Sequence, residues 1–342
     1  MNERGKLKMN TDMLKKIMTV QGVSGGESAV SARIADIIAP YVDSCYNDAM
    51  GNLIAVKNGK SEHHKKVMLC AHMDEIGFIV TAFEDSGLIR IATIGGINFV
   101  SAAYNTVISS KGVRGVLVPE AGTKAAELTF DKFYIDIGAK DKKDAERRVS
   151  VGDYFAVEPD LKRLSSTRLI GRPMDDRVGC AALVMIAEQL SKGDCDHDMY
   201  YVFSVQEEVG CRGARPASFA IAPDLALVYD VTSTGDVPGA RPMAVKLGGG
   251  AAIKIKDASV ICHAETVSEL IDTAKANKIK YQCEVLTAGG TDTSSIQMNG
   301  MGCRAAAISI PTRYIHSNVE MIDTADLEAT VALTVAYLKG LK

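Results

Sequence analysis

The sequence predicts an α/β protein, a three-layer α/β/α domain interrupted by a small all-β domain. Three observations carry this. Strand-like apolar runs alternate with amphipathic stretches before residue 77 and again after 168, the pattern of helices packed on both faces of a sheet. Between about 78 and 167 that alternation gives way to short β-prone runs separated by Gly, Asp, Ser and Lys turns, the pattern of a compact β unit. The chain also has 342 residues, more than a single hydrophobic core usually serves. The expected division is one discontinuous domain, residues 1–77 with 168–342, and a β-domain inserted at 78–167.

The elements follow in order. Residues 11–20 and 26–39 read as helices, and the second places Val30, Ile34, Ile37 and Ile38 ahead of a terminating Pro40. Residues 52–56 form a short strand between Met50-Gly51 and the turn at Lys57-Asn58-Gly59. A second strand, 67–71, runs into His72. Within the insertion the β-prone runs are 78–82, 88–92, 113–118, 133–137 and 154–157, with a short helix over 140–148. Residues 178–190 form a helix whose first turns are rich in Gly and Ala, suited to close packing on a sheet. Then come a strand at 199–205, a helix at 212–220 and a strand at 225–231. The helix at 264–277 carries Val267, Leu270, Ile271 and Ala274 on one stripe. Strands at 281–286 and 305–310 flank a short helix near 292–298. The last helix starts after Thr324 and lines up Leu327, Val331, Val335 and Leu338.

Composition excludes several function classes. A net charge of −3 supplies no electrostatic reason for a nucleic acid or a membrane surface as partner. No apolar run approaches the ~20 residues of a membrane span. The opening MNERGKLK is polar, so no secretion signal is expected. The eight cysteines are scattered without a C-x-x-C pair, which fits a reducing cytoplasm better than a disulfide framework or a zinc ribbon. Gly248-Gly249-Gly250 is not followed by the Lys-Ser/Thr that a phosphate loop requires. His63, His64, His197 and His263 fall in polar or turn-like contexts and are expected at the surface.

In open α/β sheets, ligands collect beyond the carboxyl ends of the strands. Polar residues end the apolar strands at five places: His72, the Asp175-Asp176-Arg177 turn, Glu207-Glu208, Asp230 and His316. Asp74 lies two positions beyond His72, on the same side of an extended chain, where a carboxylate can take the second ring nitrogen of a metal-ligating histidine. The same pair also serves as a structural histidine held by a nearby carboxylate. Two histidines with several carboxylates and no cysteine suit zinc, cobalt or manganese. They are more than one catalytic zinc needs, and they fit two metals ~3.5–4 Å apart sharing a carboxylate. Of Glu207 and Glu208, one can ligate metal while the other handles a proton; the alternative is a solvated acidic loop.

Six blocks carry a resemblance to a known family: AHMDEIG (71–77), MDDRVGCAAL (174–183), VQEEVGCRGA (205–214), YDVT (229–232), AGGTDTSSI (288–296) and PTRYIHS (311–317). In order and spacing the chain resembles the glutamyl-aminopeptidase and tetrahedral-aminopeptidase family of dinuclear metallopeptidases. The resemblance implies a cytoplasmic aminopeptidase that removes N-terminal residues from peptides, using two divalent ions per subunit (zinc, with cobalt or manganese as alternatives). It implies that His72, Asp175 and Asp230 hold one metal, and that Asp175, Glu208 and His316 hold the other, with Asp175 bridging. Glu207 is implied as the general base acting on a bridging water, Asp74 as the residue orienting His72, and Asp175–Asp176 as a cis peptide. The 289–292 turn and Arg313 are implied near the substrate cleft. The inserted β-domain is implied to mediate self-association, in many members into tetrahedral dodecamers. Departures from the family pattern occur at Ala251, Cys211 and Asn318, none of them an implied ligand. Two competing readings are a glycosidase using paired carboxylates, disfavoured by the absence of Trp, and a non-enzymatic scaffold, disfavoured because every implied ligand position is filled.

Overall fold

The computed structural model describes residues 9–62, 64–193 and 196–341; the opening MNERGKLK, His63 and Cys195 lie outside them. The chain begins with α1 (Thr11–Met18), α2 (Ser28–Ile38), β1 (Ser44–Asn47), β2 (Leu53–Lys57) and β3 (Lys66–His72). Next come β4 (Gly77–Phe83), β5 (Ile89–Ile94), α3 (Phe99–Ala102), β6 (Thr106–Ser109), β7 (Arg114–Pro119), β8 (Phe133–Asp136), α4 (Lys142–Arg148) and β9 (Tyr154–Val157). The chain continues through β10 (Asp160–Arg163), β11 (Arg168–Arg172), α5 (Arg177–Leu190), β12 (Asp198–Ser204), α6 (Ala214–Ile221) and β13 (Leu225–Thr232). It ends with β14 (Ala251–Lys256), α7 (Ala264–Ala276), β15 (Tyr281–Val285), α8 (Asp292–Gln297), β16 (Arg304–Arg313), β17 (Glu320–Asp323) and α9 (Thr324–Gly340).

The expected α/β class with a small β unit is what the chain adopts. A large mixed sheet runs β1-β2-β12-β3-β13-β16-β17-β11-β10, with β14 and β15 branching from β16. Its centre is parallel, β12 with β3, β3 with β13 and β13 with β16. Both faces of those strands are covered, and all eight residues of β13 are buried, as near-continuous apolar runs in parallel sheets require. Helix α5 lies on β3 and β13 with α1, α2 and α9 against it, while α6 and α8 pack together on β3, β12, β13 and β16. Strands β4-β5-β8-β7-β6-β9 close a separate antiparallel barrel around its own core, including Phe78, Val80, Leu117, Phe133, Ile135 and Phe155. No helix among the described residues is long and apolar enough to cross a membrane.

Local chemistry explains how α5 starts where it does. Asp176 caps it by accepting the Gly179 N–H, and a Cβ at position 179 would collide with that carboxylate. Arg177, fully buried, donates Nε to the Met73 carbonyl at 2.9 Å and Nη1 to Ile17 and Val20, both at 2.8 Å, closing the last turn of α1. One guanidinium thus ties the 71–77 turn to α1 and α5.

The structure corrects the surface placement of His197. It is buried, accepts the Lys65 N–H at Nδ1 and reaches the Leu341 carbonyl through Nε2. His64 is partly exposed beside Asp198, and His263 caps α7.

Candidate metal centre

Five strand or turn ends converge on one cavity of about 420 Å³, lined among others by His72, Asp175, Glu207, Glu208, Asp230 and His316. His72 closes β3, Asp230 lies near the end of β13, and Asp175 stands in the turn before α5, joined to Asp176 by a cis peptide bond. His316 follows β16 in a left-handed conformation (φ 61°).

Asp175 is the centre of the arrangement. Its Oδ1 lies 3.0 Å from His72 Nε2 and its Oδ2 lies 3.2 Å from His316 Nε2. Asp230 Oδ1 is 3.8 Å from the same His72 nitrogen, and Glu208 Oε1 is 3.3 Å from His316 Nε2. Two donor triads result, His72/Asp175/Asp230 and Asp175/Glu208/His316, each with ligand atoms within 4.8 Å of one another. The donors suit divalent ions: ring nitrogens and carboxylate oxygens face one another, and buried Glu208 Oε1 meets the His316 ring without a well-formed hydrogen bond.

How two adjacent glutamates reach one cavity is explained by Asp74. Gln206 adopts φ 56°, breaking the strand alternation, and donates its N–H to Glu27. Asp74 then accepts the Glu207 N–H on Oδ1 at 3.0 Å, and the Glu208 N–H on Oδ2 at 3.2 Å. Ser24 Oγ donates to the same Oδ2 at 2.6 Å. Asp74 Oδ1 also lies 3.4 Å from His72 Nδ1, whose nearer neighbour is the Asp74 carbonyl at 3.1 Å.

Electrostatics follow from burial set against pairing. Burial favours neutral His316, but the Asp175 and Glu208 carboxylates beside it prevail and raise its pKa to about 11. His72 is raised likewise by Asp175 and Asp74 against the pull of burial. Asp175, between both rings, is lowered despite burial. Glu207 is pushed well up by burial and by the negative charge of Asp230, Asp292 and Glu208, with His72 opposing.

Several supporting residues escape sequence reading. Glu320 on β17 accepts the N–H groups of Met174 at 2.6 Å, Asp175 at 3.3 Å and His316 at 2.8 Å, holding the backbone of two of the converging residues. Buried Lys254 pairs with Glu284 at 2.5 Å and Asp257 at 3.5 Å beside the cavity. Gly289, Gly290 and Thr291 line the cavity, whereas Arg313 pairs with Asp236 at 2.7 Å and is not among the lining residues.

A family model described as M42 glutamyl aminopeptidase matches residues 51–333, a span that includes every residue of both triads. The chain belongs to the M42 glutamyl aminopeptidase family. It is accordingly an aminopeptidase, a hydrolase acting on peptide bonds. Among M42-like relatives, a putative aminopeptidase of Acetivibrio thermocellus is 44% identical, over 95% of this chain and 97% of that one. An aminopeptidase structure from the archaeon Desulfurococcus kamchatkensis superposes with a TM-score of 0.92 at 34% identity, covering 96% of this chain and 94% of that one. The TET1 peptidase of Pyrococcus horikoshii, described as assembling into a tetrahedron or a large octahedral shell, is similar at a TM-score of 0.85 and 31% identity, over 95% and 98% of the two chains.

Proposed function

We propose that this M42 aminopeptidase works with two divalent ions, one held by His72, Asp175 and Asp230 and the other by Asp175, Glu208 and His316. The observation that carries the reading is Asp175, which turns one carboxylate oxygen to each histidine. Two ions bound there supply Lewis acidity, polarising the scissile carbonyl and lowering the pKa of water. Zinc, cobalt and manganese all suit the donor set.

Glu207 is the general base in this reading. Its carboxylate lines the cavity without ligating in either triad. As a carboxylate there, Glu207 takes a proton from the attacking water and passes it to the leaving amine. Asp74 positions that base by fixing the Glu207 and Glu208 N–H groups, and it orients His72. Glu207→Gln tests the assignment: the protein should retain two metal equivalents per chain yet lose about 10²–10⁴ in kcat. Near-normal turnover in that variant would refute the base.

The same reading divides the chain at 1–77 with 168–342 for catalysis and 78–167 for self-association, the barrel serving as the assembly element. A tetrahedral dodecamer acting on peptides in the cytoplasm is the corresponding state, and the described cysteines, all free, are compatible with that compartment. Light scattering on the purified chain, before and after excision of the barrel, tests the assembly.

A further inference from the structure

A third group of metal-type donors stands beside the two triads and shares no residue with either. One oxygen of Glu207, one oxygen of Asp292 and the sulfur of Cys211 lie within 4.8 Å of one another. The backbone builds this approach. Gly210 and Cys211 turn back on the Glu207 carbonyl with N···O distances of 2.9 and 2.8 Å, and Cys211 takes φ 52°, uncommon for a residue with a Cβ. The turn brings the thiol to 3.1 Å from Glu207 Oε1.

Asp292 supplies the independent sign of a ligand. Its Oδ2 accepts from Ser204 Oγ and Cys70 Sγ. Its Oδ1 has no hydrogen-bond partner although the residue is only 1% exposed. A buried carboxylate oxygen without a donor is costly and calls for an explanation.

We propose that Glu207, Cys211 and Asp292 form a third cation site, selective for a soft divalent ion such as Zn²⁺ or Cd²⁺, whose occupation inhibits the enzyme. With metal–sulfur and metal–oxygen bonds of about 2.3 and 2.0 Å, tetrahedral sulfur and oxygen ligands sit about 3.5 Å apart, close to the observed thiol–carboxylate separation. The sulfur sets the selectivity, because thiolate favours zinc or cadmium over magnesium, calcium or manganese. Binding forms a metal–sulfur bond and releases the thiol proton to solvent. Glu207 and Cys211 both line the cavity, so the ion has a path in. The site itself does not depend on the role of Glu207; the inhibition rests on the reading of Glu207 as the base, since a carboxylate engaged by a cation cannot accept a proton.

The test starts from protein already holding its two metal equivalents and adds Zn²⁺ in equilibrium dialysis with elemental analysis, alongside steady-state rates. The parent should take up a third equivalent, and activity should fall as it fills. Cys211→Ala and Asp292→Asn should each stop at two equivalents, with the inhibitory phase displaced at least tenfold to higher Zn²⁺ or lost. Added Cd²⁺ should give an ultraviolet thiolate charge-transfer absorption in the parent and not in Cys211→Ala. A parent that stops at two equivalents, or variants that bind the third as tightly as the parent, overturns the site. A cysteine-dependent third equivalent that leaves the rate unchanged upholds the site and instead overturns Glu207 as the base.

Discussion

Asp74→Asn is the most informative single change, because the two isosteric side chains differ in what they can accept. The Asp74 carboxylate receives the Glu207 N–H on one oxygen and the Glu208 N–H with the Ser24 hydroxyl on the other. An asparagine keeps one acceptor and presents an NH₂ in place of the other. Whichever way the amide settles, one of two neighbouring backbone N–H groups faces a donor. Ser24 can rotate its hydroxyl to adapt; the peptide N–H cannot. Hydrogen bonding and the His72 ring hold the Asp74 pKa below its usual value in spite of burial, so the native site favours the charged form that the substitution removes. Stranding one of these part-buried N–H donors should remove about 1–3 kcal/mol of stability. A shift of about 1 Å in Glu207 costs on the order of 10²-fold in rate, and a disturbed partner to a ligating histidine costs about 10–100-fold in metal affinity. The assays are denaturant midpoints at unchanged slope, and kcat with KM at saturating metal. A variant that turns over within tenfold of the parent and unfolds within about 1 kcal/mol of it refutes the role given to Asp74.

Glu320→Ala strands the N–H groups of Met174, Asp175 and His316 and should weaken metal binding about 10–100-fold, visible as fewer than two equivalents per chain at limiting metal. Lys254→Met leaves Glu284 and Asp257 as buried charges and should cost about 3–5 kcal/mol, read from denaturant unfolding of the metal-free chain. The histidines give a pH signature. With a folded pKa of about 11 against 6.5 in the unfolded chain, His316 stabilises the metal-free protein fully below pH 6.5, and that contribution is lost as pH rises through about 11. Metal binding must displace the same protons, so apparent affinity should rise across this window, with proton release measurable as a buffer-dependent heat. Affinity that does not change with pH contradicts the histidine assignment.

The residues that converge on the cavity were legible because each interrupts an apolar strand or turn with a group that has no reason to be buried unless something holds it. His72 after 67–71 and Asp230 at the end of 225–231 are of this kind. Strands β1, β6, β10, β11, β14 and β17 were not legible. Several are four residues long, and β14 and β17 read Ala-Ala-Ile-Lys-Ile-Lys and Glu-Met-Ile-Asp, patterns that reveal their burial only once neighbours are known. Nothing local marks Lys254 as buried, because its partner Glu284 lies 30 positions away. His197 looked exposed because a turn-like context says nothing about the Lys65 N–H and the Leu341 carbonyl that enclose it.

The same distinction explains why the Glu207-Glu208 pair is ambiguous in the sequence, while in the structure both residues line the cavity. Strand geometry alone sends adjacent side chains to opposite faces, so an acidic pair reads equally well as a solvated loop. Three things turn both towards the cavity: the left-handed Gln206, the Glu27 carboxylate that accepts its N–H, and an Asp74 with one oxygen for each following amide. All three lie outside the pair, two of them more than 130 positions away along the chain. On the proposed roles, a base beside a ligand depends on a buried acceptor belonging to another strand end, and that dependence makes Asp74 a sharper probe of the centre than either glutamate. Substituting a glutamate removes one role, whereas removing the acceptor disturbs both positions while leaving every ligating atom in the chain.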